Sequence, residues 1–191
     1  MNGELICRSV KAPPRRSFVL STSKRLLDSV TDKHRPGPGE CLKFISLRGG
    51  VASLSFIAWI ADREPIEELQ ASTLRIGPRQ YEYLDRLARA GKLKSARFVL
   101  SSMQGQMDGK RGTRNYAEEF RKISDRHAWR VVVVNNHSKI ILIKTAANWY
   151  VLETSSNLND NPKIEQYSLE NNEELYAFYS QFFDRLEEAT A

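Results

Sequence analysis

Cysteine is scarce in this chain. Its 191 residues hold only Cys7 and Cys41, far apart in sequence. Neither has a Cys or His at metal-ligand spacing, so neither a disulfide framework nor a zinc site is indicated, and the thiols read as reduced cytoplasmic ones. Long apolar runs are absent too. No stretch approaches the ~18 residues that a membrane span needs. The opening MNGELICRSV lacks an extended apolar core, so no secretory signal is expected. No carboxylate cluster suits magnesium, and no metal or cofactor is expected. Histidine occurs three times, at His34, His127 and His137, and no internal repeat is present.

Positive charge is plentiful. Lys and Arg number 29 against 23 Asp and Glu, for a net charge of +6 and an isoelectric point near 9.4. That balance favours a polyanionic partner, nucleic acid first and an anionic membrane surface second. The length suits one ordinary domain with an appended arm. Residues 1–39 form that arm: KAPPRRS and KHRPGPGE hold most of the prolines and a cluster of basic residues. Proline fixes φ and removes a donor, so these segments resist regular structure. RSFVLSTSKRLLDSV between them reads as a strand or a short docking helix.

From residue 40 to 191 the pattern is that of a single α/β domain. Cys41–Leu47, Ile66–Leu74 and Ser95–Ser101 read as strands. Val51–Ala61 reads as a buried helix after Gly49-Gly50. A second helix opens at Gly77-Pro78 and ends at Gly91, with Tyr81, Leu84, Leu87 and Ala88 at helical spacing. MQGQMDGKRGTRN reads as a loop, and Tyr116–Arg126 as a helix. Four strands follow: Trp129–Val134, Ser138–Ile143, Trp149–Glu153 and Lys163–Leu169. Asn172–Leu186 closes the chain as an amphipathic helix. The expected fold class is a mixed β-sheet flanked by helices on both faces.

The chemistry concentrates in NNHSKIILIKTAANWYVLETSSNLNDNPKIEQYSL. His137 and Lys139, two apart on a strand, share a face. The continuously apolar IILI makes that strand central, where a lysine on the site face calls for an anionic partner. A hairpin then leads to Thr154-Ser155-Ser156-Asn157, a polar turn able to fold back beside them. An imidazole with a neutral fraction near physiological pH, a fixed cation and hydrogen-bonding side chains together suit phosphodiester chemistry. His34 in the arm and His127 at a helix end read as structural.

The order His-x-Lys, strand, strand, small-Ser-x-Asn resembles the phospholipase D superfamily, over residues 129–169 most strongly and over 40–190 in element order. The resemblance implies a phospholipase D-like fold and makes His137 the nucleophile that forms a phosphohistidine. Lys139 is implied to neutralise the nonbridging oxygens. Ser155 and Asn157 would bond the phosphate, and Glu165 would orient the histidine. Two positions depart from the family pattern: Lys144 stands where an Asp is common, and Thr154 where a Gly is. With one motif copy, the resemblance implies a homodimer that faces two His137 side chains across a shared cleft.

The function expected is a metal-independent phosphodiesterase, an endonuclease on DNA or RNA without stable membrane association. Lys110, Arg111, Arg114 and Lys144 would contact the backbone, with Arg75, Arg79, Lys92 and Lys94 as further loop and helix-end cations. The alternatives are a catalytically weakened nucleic-acid-binding protein of the same fold and a lipid phosphodiesterase.

Overall fold

The computed structural model describes residues 9–102, 116–159 and 163–189, so Lys110, Arg111 and Arg114 lie outside the described residues. Its strands are β1 (Arg15–Ser21), β2 (Glu40–Ser46), β3 (Ile66–Thr73), β4 (Leu93–Ser101), β5 (Arg130–Val134), β6 (Ile140–Thr145), β7 (Trp149–Thr154) and β8 (Glu165–Asn171). Its helices are α1 (Leu54–Ala61), α2 (Pro78–Arg89), α3 (Tyr116–Arg126) and α4 (Glu173–Glu188). Among the described residues the strands form one sheet in the order β1-β2-β8-β7-β6-β3-β4-β5. The flanks β1-β2 and β3-β4-β5 run parallel, and every pairing from β2 through β8, β7 and β6 to β3 is antiparallel.

Alternation along the strands splits the apolar residues between two layers. Leu69 and Ala71 of β3, Ile141 and Ile143 of β6, and Tyr150 and Leu152 of β7 join one core. That core also holds Phe56, Ile57 and Ile60 of α1, Leu84 of α2 and Phe120 of α3. Each such side chain fully buried contributes about 1.5–3 kcal/mol. On the opposite face Val99, Leu142 and Val151 meet Tyr176 and Phe183 of α4. Helices therefore cover both faces of a mixed α/β sheet.

Local chemistry explains the helix bounds. α1 is apolar all round, with Phe56, Ile57, Trp59, Ile60 and Ala61 buried, as a core helix requires. Pro78 opens α2, and Gly91 follows it at φ +69°. The Asn172 side chain caps α4 by accepting from the Leu175 N–H at 3.1 Å.

α4 packs on β7 and β6, which leaves the β1-β2 end of its face open. Phe18 and Leu20 of β1 are 75% and 67% exposed, and Ile45 and Leu47 are exposed beside them. Val19, pointing the other way, packs on the main core.

Three strand starts fall later than the sequence pattern predicts. β6 begins at Ile140 rather than Ser138, β8 at Glu165 rather than Lys163, and β5 at Arg130 rather than Trp129. The first shift has a topological cause. β5 is an edge strand, so the chain must cross the ends of β4 and β3 to enter β6. His137 and Lys139 lie in that crossing segment, not on the strand itself.

Candidate active site

The crossing segment is shaped by Asn136, a buried amide. Its Nδ2 donates to Ser72 Oγ at 2.9 Å, to the Val99 carbonyl at 3.2 Å and to the Thr73 carbonyl at 3.4 Å. Its Oδ1 accepts from the Ser138 N–H at 2.9 Å and the Ser138 hydroxyl at 2.7 Å. One side chain thus ties the segment to the ends of β3 and β4, and Ser72 adds a hydroxyl contact to Ser138. With Ser138 turned into this network, His137 is left exposed and Lys139 half-buried.

The Thr154–Leu158 turn is built into the same end of the sheet. Thr154 donates its N–H to the Lys139 carbonyl at 3.3 Å. Its hydroxyl accepts the Ser156 N–H at 2.9 Å. Among the described residues the one non-glycine with positive φ is Ala128, so nothing at position 154 demands glycine. Ser53, just before α1, donates its hydroxyl to the Ser156 carbonyl at 2.9 Å. The Asn157 side-chain oxygen accepts from the Leu74 N–H at 3.2 Å and from the Thr73 hydroxyl at 3.5 Å. The same Thr73 hydroxyl accepts the Leu158 N–H at 3.2 Å.

His137, Lys139, Ser155 and Glu165 come together at this end. Lys139 Nζ lies 3.2 Å from His137 Nδ1 and donates to the His137 carbonyl at 2.8 Å. The Ser155 hydroxyl donates to the buried Glu165 carboxylate. Burial pushes the Lys139 ammonium below its ordinary lysine value, and the nearby Glu165 carboxylate raises it part of the way back. Asn157 belongs to the frame, holding the end of β3. Lys144 does not join them. It lies five residues along β6, roughly 16 Å away at strand rise, with Nζ 4.3 Å from the centre of the Trp149 ring.

The other histidines have local partners. His34 Nδ1 accepts the Thr31 N–H at 3.0 Å. His127 Nε2 lies 2.7 Å from Asp85 Oδ1, and its ring stacks on Trp129 at 4.8 Å. Asn136, Ser72, Thr73 and Ser53 escape sequence reasoning. The Asn135-Asn136 doublet after four valines is a turn signal, but its long-range acceptors are invisible without the sheet order.

No family model and no curated protein matches this chain. Solved structures do resemble it. Nuc from Salmonella typhimurium, a phospholipase D family member, superimposes with TM-score 0.54 at 11% identity, over 78% of this chain and 93% of that one. Polyphosphate kinase from Porphyromonas gingivalis gives 0.50 at 15% identity, over 71% of this chain and 24% of the kinase. TrmBL2, an archaeal chromatin protein with a novel mode of DNA binding, gives 0.50 at 10%, over 77% and 52%. This chain thus spans about a quarter of the kinase and half of TrmBL2, but nearly all of Nuc. The fold it shares with Nuc is the phospholipase D fold.

Proposed function

We propose that this chain, with its phospholipase D fold, is a metal-independent phosphodiesterase, an endonuclease working through a phosphohistidine at a site completed by a second copy. The observation that carries the reading is the Lys139 ammonium 3.2 Å from the His137 ring nitrogen, beside the Ser155–Glu165 pair. An exposed imidazole is thereby held next to a desolvated cation, the combination that attack on a phosphate anion needs.

In the first step a His137 ring nitrogen attacks phosphorus. The P–O bond to the leaving strand breaks, and the partner subunit's His137 supplies the proton to the departing oxygen. That second imidazole then takes a proton from water, whose oxygen attacks phosphorus and expels His137. Lys139 of each copy neutralises nonbridging oxygens. Lys139 now faces Nδ1, which leaves the neutral ring its proton on Nε2. An incoming phosphate draws the ammonium to its oxygens, frees Nδ1 and permits the tautomer with Nε2 unprotonated. Glu165 supplies the carboxylate that steadies the imidazolium.

Two features support the assembly. The chain carries one motif copy, while the chemistry uses two imidazoles on opposite sides of phosphorus. Leu47 and Ile164, exposed near Ser46 and Glu165, give a second subunit apolar surface to bury. Lys144 is remote from His137, so the exchange of the family's Asp for Lys there does not touch the reacting atoms.

The test uses labelled single- and double-stranded DNA and RNA in EDTA. Cleavage that persists in EDTA and disappears in His137→Ala is the expected result. Binding without turnover by both proteins would refute the catalytic reading and leave a nucleic-acid-binding protein, as TrmBL2 is described. Cleavage of phosphatidylcholine alone would point to lipid.

A further inference from the structure

Among the described residues two arginines carry a buried Nε without a hydrogen-bond partner, Arg75 and Arg97. They differ in what the rest of the guanidinium does. Arg97 is held within the protein: Nη1 meets Asp184 at 2.6 Å, and Nη2 meets Gln70 at 2.8 Å and Ser180 Oγ at 2.9 Å. Arg75 has no ion pair and no side-chain hydrogen bond among the described residues. A buried guanidinium nitrogen without an acceptor is costly, and each such group calls for an explanation, a bound anionic ligand among them.

Its location identifies that ligand. Arg75 leaves the end of β3, two residues beyond Thr73. Its N–H donates to Thr73 Oγ1 at 3.4 Å, and its carbonyl accepts from that hydroxyl at 2.9 Å. Next to it the Leu74 N–H is fixed by Asn157 at 3.2 Å, and the Thr73 carbonyl is bonded by Asn136. The backbone that carries Arg75 is therefore braced by both the segment that carries His137 and the turn that carries Ser155. A guanidinium offers paired donors matched to two phosphate oxygens, at a charge that stays fixed with pH.

We propose that Arg75 is a substrate-phosphate ligand, taking nonbridging oxygens of a strand bound across the end of β3, with Asn157 as the residue that positions its loop. The identity of the phosphate rests on the phosphodiesterase reading; the anion site does not. Arg75→Met and Arg75→Lys are compared with the unsubstituted full chain. Melting is followed with and without inorganic phosphate. Oligonucleotide binding is followed by anisotropy against salt, with His137→Ala in every chain to prevent turnover.

Arg75→Met should melt no lower than the unsubstituted protein when ligand-free, because an unpaired donor is removed. It should lose the phosphate-induced rise, bind the oligonucleotide about tenfold or more weakly and show a salt slope shallower by about 1. Arg75→Lys should recover part of the binding. Equal phosphate shifts in Arg75→Met and the unsubstituted protein, no shift in either, or unchanged oligonucleotide affinity would overturn the assignment. An Arg75-dependent phosphate shift in a protein whose His137→Ala variant still cleaves would keep the anion site and sink the phosphohistidine reading. Loss of cleavage in His137→Ala with normal binding by Arg75→Met would do the reverse.

Discussion

Replacing Asn136 tests whether one amide shapes the segment that presents His137. Asn136→Ala removes contacts at 2.9 Å to Ser72, 2.9 and 2.7 Å from Ser138, and 3.2 Å to Val99. At about 1 kcal/mol net for each of these four hydrogen bonds, the loss is about 4 kcal/mol. That is a large fraction of the ~5–15 kcal/mol that holds a typical domain together. With a urea dependence of about 1–3 kcal/mol per molar, the unfolding midpoint should fall by about 1–4 M. Cleavage by the protein that remains folded should drop about a hundredfold, since misplacing a reacting group by an ångström costs that much. Asn136→Asp should be worse than Asn136→Ala, because it sets a carboxylate oxygen against the carbonyls of Val99 and Thr73. Urea titration of the three proteins with cleavage assays on each decides it. Stability within about 0.5 kcal/mol of the unsubstituted chain, together with normal cleavage, would refute the role of Asn136. So would an Asp variant more stable than the Ala variant.

Other outcomes follow from the same geometry. Lys139 must be charged to serve phosphate, and its ammonium titrates below the ordinary 10.5, so kcat/KM should begin to fall at lower pH than an ordinary lysine dictates. Glu165→Gln removes the charge that raises that value and should move the alkaline limb lower still; an unmoved limb would exclude Lys139 as its source. Burial and then Glu64 push the Tyr150 hydroxyl up to about 12. The folded state thus keeps a proton that the unfolded chain begins to lose near 10. This raised value stabilises the fold fully below pH 10, by about 2–3 kcal/mol, and the contribution is lost between pH 10 and 12. Tyr150→Phe should flatten that part of the stability–pH curve. In light scattering the active species should be a dimer, and a strictly monomeric, fully active protein would refute the shared site.

Much of this was legible in the sequence because periodicity reports burial. The run IILI marks β6 as central, and it lies between β3 and β7. Helical spacing in Tyr116–Arg126 gives α3 with those bounds. The strand order was not legible. β5 pairs with β4 at one edge, and β1 pairs with β2 at the other, and no local pattern encodes either choice. The His137 segment was misread for that reason. HSK looks like the start of a strand, yet its conformation is set by hydrogen-bond partners on β3 and β4 that lie 37 to 66 residues earlier. Asn136 stayed inconspicuous, and Arg75 did not stand out from the other loop cations, because a set of distant partners, or a missing one, is a property of the assembled sheet.

The crossing segment also bears on when the site is made during folding. Its anchors join Asn136 to Thr73 and Val99, and Ser138 to Ser72, across gaps of 37 to 66 residues. Contacts so far apart in sequence form only after the costly closure of long loops. A chain that has completed its helices and its local β6-β7 hairpin still lacks the acceptors that hold His137 in place. The geometry of the His137 segment is thus among the last things the fold acquires.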